Sequence, residues 1–521
     1  MMATQTQKPK PSQKADSSSQ SSPLSGNLED NLQQIRQGLG NSMDLIIRHF
    51  ETIDPAPQTA VIYMEGLTDK ETVDDFISHA MSFQTVSMDG QKLSTTQDIF
   101  KYIQEKALTP GKGQSLKHMN ELFESLLTGN TVVLIDGMSE ALSGNTSGGE
   151  VRPVSEASTQ VSIRGSKESF TETISVNISL VRRKIKNQNL WVEPMKLGAV
   201  TQTNVAIMYI HGIADDDTVE KLREKLQEIR VDSILESGYI EQLIEESGYT
   251  PFPTLYNTER PDSVAGNLLD GRIAVFVDGT PFVLIAPTTF FMFFHAVEDY
   301  YQRFDITTMI RLLRFLCLLI SMFGPAIFVA ALNFHQEMIP TPLLINLASQ
   351  REGVPFPTLI EALMMEITFE IIREAGIRLP SPIGQTVSII GGLVLGQAAV
   401  QAGIVSPAMV IVVSLTGICS FTTPAFNMAL SVRLLRFVIV FVAAVMGLYG
   451  IAILALILIA HLCSLRSLGV PYMSPLGPFT PSAQKDTLIR SPIHFMKIRP
   501  RLAISSNVRK KTDKGKQGNQ T

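Results

Sequence analysis

Charge is what this chain lacks most conspicuously, and it lacks it in one place. No charged residue stands between Arg378 and Arg433, a gap that contains TVSIIGGLVLGQAAVQAGIVSPAMVIVVSLTGICSF. A bilayer-spanning helix takes roughly 20 mainly apolar residues, so the gap is too long for one span and suits a pair. The break falls near Ala402-Gly403 to Ser406-Pro407, where small residues and a proline permit a turn. Two more runs, Phe315 to Leu332 and Phe437 to Ala460, also carry no charged side chain. Several such runs in one chain exclude a wholly water-soluble protein. Charged residues make up only 18% of the whole, against about 25% in soluble chains, and the deficit lies after residue 305.

Other absences narrow the function. There are three cysteines, Cys317, Cys419 and Cys463, all in or beside apolar runs, which excludes a disulfide framework or a cysteine metal site. The net charge of −5 gives no basic field for nucleic acid. No HExxH, no GxSxG in a strand–turn–helix setting and no Cys/His ligand pairing occurs, and GKGQS at 111–115 lacks the phosphate-loop spacing. No enzyme, cofactor or metal is expected. The first thirty residues contain no apolar core of a signal peptide.

What is present begins after a polar tail, residues 1–27, whose composition predicts disorder. Leu28, Leu32, Ile35 and Leu39 then mark an amphipathic helix with Asn27 as its N-cap. Residues 28–150 and 201–289 read as two α/β subdomains. AVIYMEG at Ala60–Gly66 matches AIMYIHG at Ala206–Gly212, and VLIDG at Val133–Gly137 matches VFVDG at Val275–Gly279. The same order at nearly the same offset points to a duplicated unit. Asp215, Asp216 and Asp217 read as the acidic start of a helix, not as a cation site. Residues 151–200 read as a linker and helix, equally open to being a solvated connector or a docking surface with Arg164, Gly165, Arg182 and Arg183.

From 290 to 465 the chain reads as a helical membrane domain, with spans expected at about 312–333, 386–403, 405–424 and 435–462. Phe290 to Phe304, aromatic mixed with charge, suits an interfacial helix. Arg303, Arg311 and Arg314 place the start of the first span on the cytoplasmic side, and the basic stretch Arg499 to Lys516 of a tail over 466–521 points to the same side. An even number of crossings follows. The segment 359–376 is an amphipathic helix carrying Glu361, Glu366, Glu370, Arg373 and Glu374, three of which (Glu366, Glu370 and Arg373) share one face. It either lies flat in the interface or lines a water-filled path as a pore or gate. Gly392, Gly396, Ala399 and Gly403 form a small-residue stripe for helix packing, with Gln397 and Gln401 one turn apart beside it.

Long strings carry a resemblance. SIRGSKESFTETISVNISLVRRKI, SGYIEQLIEES, TERPDSVAGNLLDGRIAVFVDGTPFVL, EDYYQRF, EALMMEITFEIIREAGIRLPSPIGQTVSIIGGLVLGQAAVQAGIVSP, GVPYMSPLGPFTP and IRSPIHFMKIRPR together cover essentially residues 30 to 503. The chain resembles the A subunit of the GerA-type nutrient germinant receptors of endospore formers. It departs from that pattern at Ser166, where proline follows the RG pair, and at Gln160, where the pattern carries glutamate. The resemblance implies a multi-pass protein of the spore inner membrane with its N-terminal domain and C-terminal tail facing the spore core. It implies a transporter-like B subunit that binds the nutrient, a lipoprotein C subunit, and a homo-oligomeric ring of A subunits that conducts ions to trigger germination. A secondary transporter and a non-conducting membrane scaffold are the alternatives.

Overall fold

A computed structural model describes residues 22–50, 57–81, 96–104, 113–148, 157, 160, 162–380, 384, 390–481 and 484–495. Most of the expected disordered tail, the first two residues of GKGQS, the start of the expected 386–403 span and the basic stretch Arg499–Lys516 lie outside the described residues. The chain forms two units, Met1–Leu39 with Asp44–Glu150, and Gly40–Met43 with Val151–Thr521.

The first unit is a five-stranded antiparallel sheet. Its strands are β1 (Leu45–Phe50), β2 (Thr59–Met64), β3 (Gly113–Leu116), β4 (Thr131–Ile135) and β5 (Ala141–Gly144), in spatial order β1-β2-β4-β5-β3. Every residue of β2 and β4 is buried because helices cover both faces. Ala60, Ile62 and Met64 pack toward α1 (Leu28–Gly38) and α4 (Met119–Leu127). Val61 and Tyr63 pack toward α2 (Lys70–Met81) and α3 (Thr96–Tyr102). A two-sided core explains why these strands read as unbroken apolar runs in the sequence instead of alternating.

The second unit repeats that plan. Strands β6 (Leu190–Leu197), β7 (Thr203–Ile210), β8 (Tyr256–Thr258), β9 (Ile273–Val277) and β10 (Val283–Ala286) are ordered β6-β7-β9-β10-β8, again all antiparallel. One face packs on α6 (Asp216–Glu228) and α7 (Ser237–Ile244), the other on α5 (Ile174–Lys184) and α8 (Pro261–Leu269). Asp215 caps α6, accepting from Thr218 N at 3.2 Å. The segment 151–200 is therefore more than a linker, since it supplies α5 and β6 of this layer.

The duplication extends to single hydrogen bonds. Asn31 accepts from Ser25 N at 3.0 Å and donates to Ser25 O at 2.6 Å, while Asn177 does the same with Thr171 at 2.8 and 2.7 Å. Asp136 accepts from Leu28 N at 3.1 Å, and Asp278 from Ile174 N at 3.2 Å. Each pair satisfies donors left free at the start of α1 or α5. Gly66 and Gly212 share φ +78, and Gly137 and Gly279 have φ +85 and +87, values that favour glycine.

The α5/α8 core of the second sheet does not stop at its helices. It continues through Phe290–Phe294 and Tyr472 into α9 (Phe304–Phe334) and the apolar helices beyond. Phe290 to Phe294 are buried in a 3₁₀ turn, with a second turn at Val297–Tyr300, so the stretch expected as one interfacial helix is two short turns, of which the first is core while Tyr300 and Phe304 are exposed. After α9 come α10 (Thr341–Arg351), α11 (Thr358–Arg378), a π-helical stretch Ile390–Leu395 running into α12 (Gly396–Gln401), α13 (Pro407–Ser420) and α14 (Phe426–Ser464). The helices α9 and α14 are long and apolar enough to cross a membrane, with mean hydropathies of 2.4 and 2.7.

The helix α14 is not one rod. A straight helix of its 39 residues would be about 58 Å long. Yet Asn427 contacts Glu241 at 3.5 Å and His461 bonds Thr250 at 2.9 Å, and the segment 241–250 spans at most about 35 Å. The chain doubles back at Gly447, whose φ of 62° and ψ of −150° break the helix. A Cβ at Gly450 would lie 2.8 Å from Val442 Cγ1, as the fold-back requires. The single span expected over 435–462 is thus two limbs. The chain then returns to the second sheet, where Tyr472 donates to Pro253 O at 2.7 Å and Ser467 to Thr254 O at 2.8 Å. The described part of 466–495 is folded structure and not a free tail.

Candidate functional site

The charged residues of the amphipathic segment sit on α11, packed between α9, α13 and α14. Glu361 and Glu366 are buried, 0% and 3% exposed, and neither faces an open channel within this chain. Glu361 reaches the start of α13, where Ser406 N donates to its Oε1 at 2.6 Å and Ser406 Oγ donates to the same oxygen. Arg351 Nε lies 3.8 Å from its other oxygen. Glu366 Oε2 accepts from Arg436 Nη1 of α14 at 2.8 Å, and Glu370 Oε1 from Arg433 Nη1 at 3.1 Å. Arg373 donates to Glu370 within α11. Glu374 pairs with Arg378 at 2.6 Å on the exposed side of the helix. The face expected from helical spacing is real, and it is a ladder of ion pairs.

Why such a ladder exists is a matter of dielectric. A buried carboxylate or guanidinium costs several kcal/mol to desolvate, and only a close partner offsets that. The spacing of Glu366 and Glu370 on α11 matches Arg433 and Arg436, one turn apart on α14. Glycines bring the helices together: a Cβ at Gly417 of α13 would lie 2.3 Å from Phe369 Cζ of α11, and one at Gly391 3.0 Å from Ile372.

The expected small-residue stripe does less inside the chain. A Cβ at Gly392 would meet nothing within 4 Å, and one at Gly396 only Val410 at 3.8 Å. Gly403, with φ +67, forms the turn and faces Gly353 O. Ala399 is half-buried, and Gln397 and Gln401 are exposed. The seams run through Gly417 and Gly391 instead, which carry no repeating spacing to read in advance.

The docking candidates separate in the same way. Arg182 is 1% exposed and donates to Leu190 O at 2.8 Å, a structural role inside the second sheet layer. Arg164 is exposed and Arg183 half-buried. Gly165, with φ +127, lies against Tyr301, whose ring a Cβ would meet at 2.5 Å. The residue that organises this loop is Arg260, 4% exposed, which bonds Asp262 at 2.7 Å, Ser162 Oγ at 2.8 Å and Ser166 O at 2.9 Å. Gln160 and Ser166 are held there, and Gln160 accepts from Thr258 Oγ1 at 2.7 Å.

A second charged cluster lies at the base of α9. Asp299 accepts from Arg314 at 2.8 Å and Arg311 at 3.2 Å, and Arg311 also reaches Asp486 at 2.8 Å. A cavity of about 290 Å³ beside it is lined by Gln160, Arg260, His295, Glu298, Arg314 and Thr423 among others. Burial, with Arg311 and Arg314 adding to it, pushes His295 down to about 3, so the ring is neutral and bonded to Thr487 O at 2.7 Å. On α7, beside Asn427 at the start of α14, burial and then Glu245 and Glu236 push Glu241 up to about 7. Among the described residues no cluster of three or more His, Cys, Asp or Glu side chains is placed to hold a metal.

Arg433, Arg436, Asp299 and Arg260 were not singled out from the sequence as site residues. Arg433 and Arg436 carried a signal nonetheless, as the last two Lys or Arg before a long apolar run, spaced to face the carboxylates of α11.

The family model described as Bacillus/Clostridium GerA spore germination protein matches residues 33–502. Spore germination protein KA of Bacillus subtilis (strain 168) is 52% identical over 496 residues, 95% of this chain and 89% of that protein. Spore germination protein GerLA of Bacillus cereus is 40% identical, covering 92% and 96%. A crystal structure of the N-terminal domain of the A subunit of the Bacillus megaterium spore germinant receptor GerK3 is 44% identical, with a TM-score of 0.41, covering 52% of this chain and 98% of that one.

Proposed function

The chain belongs to the Bacillus/Clostridium GerA spore germination protein family, and on that premise we propose that it is the A subunit of a nutrient-gated ion channel in the spore inner membrane, with α11 as its gating helix. The observation that carries the proposal is the ladder of Glu366–Arg436 and Glu370–Arg433 pairs inside an apolar bundle. Ion pairs at membrane depth are costly and mark routes or switches. An open acidic ring lining a water-filled path loses force because Glu366 and Glu370 are each matched by a guanidinium. The closed latch takes its place.

This reading counts six crossings. The helix α9 leaves the second α/β subdomain, and Thr358 at the start of α11 bonds Asn333 at its far end at 2.9 Å. α11 then returns, the chain through α12 goes out again to Gly403 beside Gly353, α13 returns, and the two limbs of α14 complete the count. An even number puts both α/β subdomains and residues beyond 465 on one side, the spore core. The nutrient binds a transporter-like B subunit, a lipoprotein C subunit completes the receptor, and copies of this chain form the conducting ring. The outward Gly392 and the exposed Gln397 and Gln401 face lipid or a neighbouring copy. Nothing in this reading requires a catalytic step.

A charge exchange tests it. Glu366→Arg alone should set Arg against Arg436 and let potassium release begin at lower nutrient or without it, and Glu366→Arg with Arg436→Glu should restore nutrient dependence with the subunit at normal abundance. No restoration by the reversed pair would sink the latch.

A further inference from the structure

The ladder between α11 and α14 does not balance. Glu366 serves Arg436 alone, but Glu370 accepts from both Arg373 and Arg433. Three guanidiniums therefore meet two carboxylates, and Arg373, Arg433 and Arg436 are 8%, 6% and 1% exposed. Arginine cannot escape by losing its proton. Further acids on these helices are engaged elsewhere: Glu361 bonds Ser406 at the other end of α11, Asp305 pairs with Arg303, and Glu374 is occupied by Arg378. Glu241 of α7 lies against Asn427 at the start of α14, and Asn427 stands about 9 Å along the axis from Arg433.

Unpartnered donors mark the same spot. Arg373 Nε, Arg436 Nε and Glu366 Oε1 are buried without a hydrogen bond. Arg436 and Glu366 each have the other as a full-charge partner through Nη1 and Oε2 at 2.8 Å, whereas Arg373 shares its carboxylate with Arg433. Arg490 at the base of α9 also leaves its Nε unbonded, but its terminal nitrogens donate to the backbone at Gln302 O (2.6 Å) and Tyr300 O (3.2 Å). Arg373 lies over the Phe369 ring at 6.0 Å and, among the described residues, its one hydrogen-bond acceptor is the carboxylate it shares. Glu370 is 37% exposed at its side chain, so this end of the ladder is open to an approaching group.

We infer that Arg373 and Arg433 bind a single anionic group beside Glu370, either a free monovalent anion or a lipid headgroup phosphate. The group neutralises the third guanidinium and holds α11 against α14. The inference rests on the membrane reading of these helices and not on the gating role of α11.

The test uses the full chain in nanodiscs, with the thermal midpoint as readout and no germination assay, so it fails separately from the channel reading. In phosphatidylcholine discs in sodium gluconate, added chloride should raise the midpoint if the source is a free anion. Replacing part of the lipid by phosphatidylglycerol, without chloride, should raise it if the source is a headgroup. Arg373→Gln should weaken the response about tenfold or more, Arg373→Lys should keep it, and Arg378→Gln should leave it unchanged. Arg433→Gln removes the same excess charge and serves if Arg373→Gln does not fold. A midpoint indifferent to both chloride and phosphatidylglycerol, or a response that survives in Arg373→Gln, overturns the site.

Discussion

The two sheets share strand order, turn glycines and even the asparagine clip at the start of a helix, yet they end differently. The first closes on itself, with α1 and α4 on one face and α2 and α3 on the other. The second closes on α6 and α7 only, and its other core runs on through Phe290–Phe294 and Tyr472 into α9 and α14. Duplication thus supplied one self-contained layer and one whose apolar face was extended into the helical half. A shift in the second sheet has a packed route to the helices that carry the ladder.

The largest effect that sharpens this difference is expected at Phe293. Phe293→Ala should cost about 3–5 kcal/mol and expose the helical half to protease along with the second sheet. Leu32→Ala, equally buried in the first unit, should cost about 2–5 kcal/mol but leave the helical half protected. Equal damage from both substitutions would dissolve the distinction between the layers.

Next in size are the clips. Asn31→Ala and Asn177→Ala each strand a half-buried backbone donor and acceptor, at about 1 kcal/mol or somewhat more. Hydrogen exchange should show each loss confined to its own unit and similar in magnitude. A large asymmetry would mean that the repeats no longer use the clip in the same way.

The smallest effect concerns pH. Glu241 of α7, pushed up to about 7 beside the start of α14, holds a proton in the folded state that the unfolded chain has released. Stability should therefore fall as pH rises from the ordinary carboxylate range through about 7 and level off above it. Glu241→Gln should flatten that slope in a thermal melt, and an unchanged slope would assign it to another group.

Much of this was legible in the residues. The duplicated strands, the Asn27 and Asp215 caps and the apolar helices were fixed by local pattern, and so was the charged face of α11. What escaped was pairing. Helical spacing puts Glu366, Glu370 and Arg373 on one face but does not say whether water or Arg433 and Arg436 lie opposite. Gly447 was hidden because two glycines, Gly447 and Gly450, in an apolar run that reads as one span give no sign that the chain reverses there. Phe290–Phe304 misled because aromatics mixed with charge suit a headgroup belt and a junction core equally well.

The latch is tested most directly by spores carrying Glu366→Gln with Glu370→Gln. Potassium and dipicolinic acid release would be followed with and without nutrient, with subunit abundance measured alongside. Leaving Arg433 and Arg436 without carboxylates should loosen α11 from α14, so release should begin at lower nutrient or without it at normal abundance. Unchanged release at normal abundance would contradict a gating role for α11 and leave the ladder as structure alone.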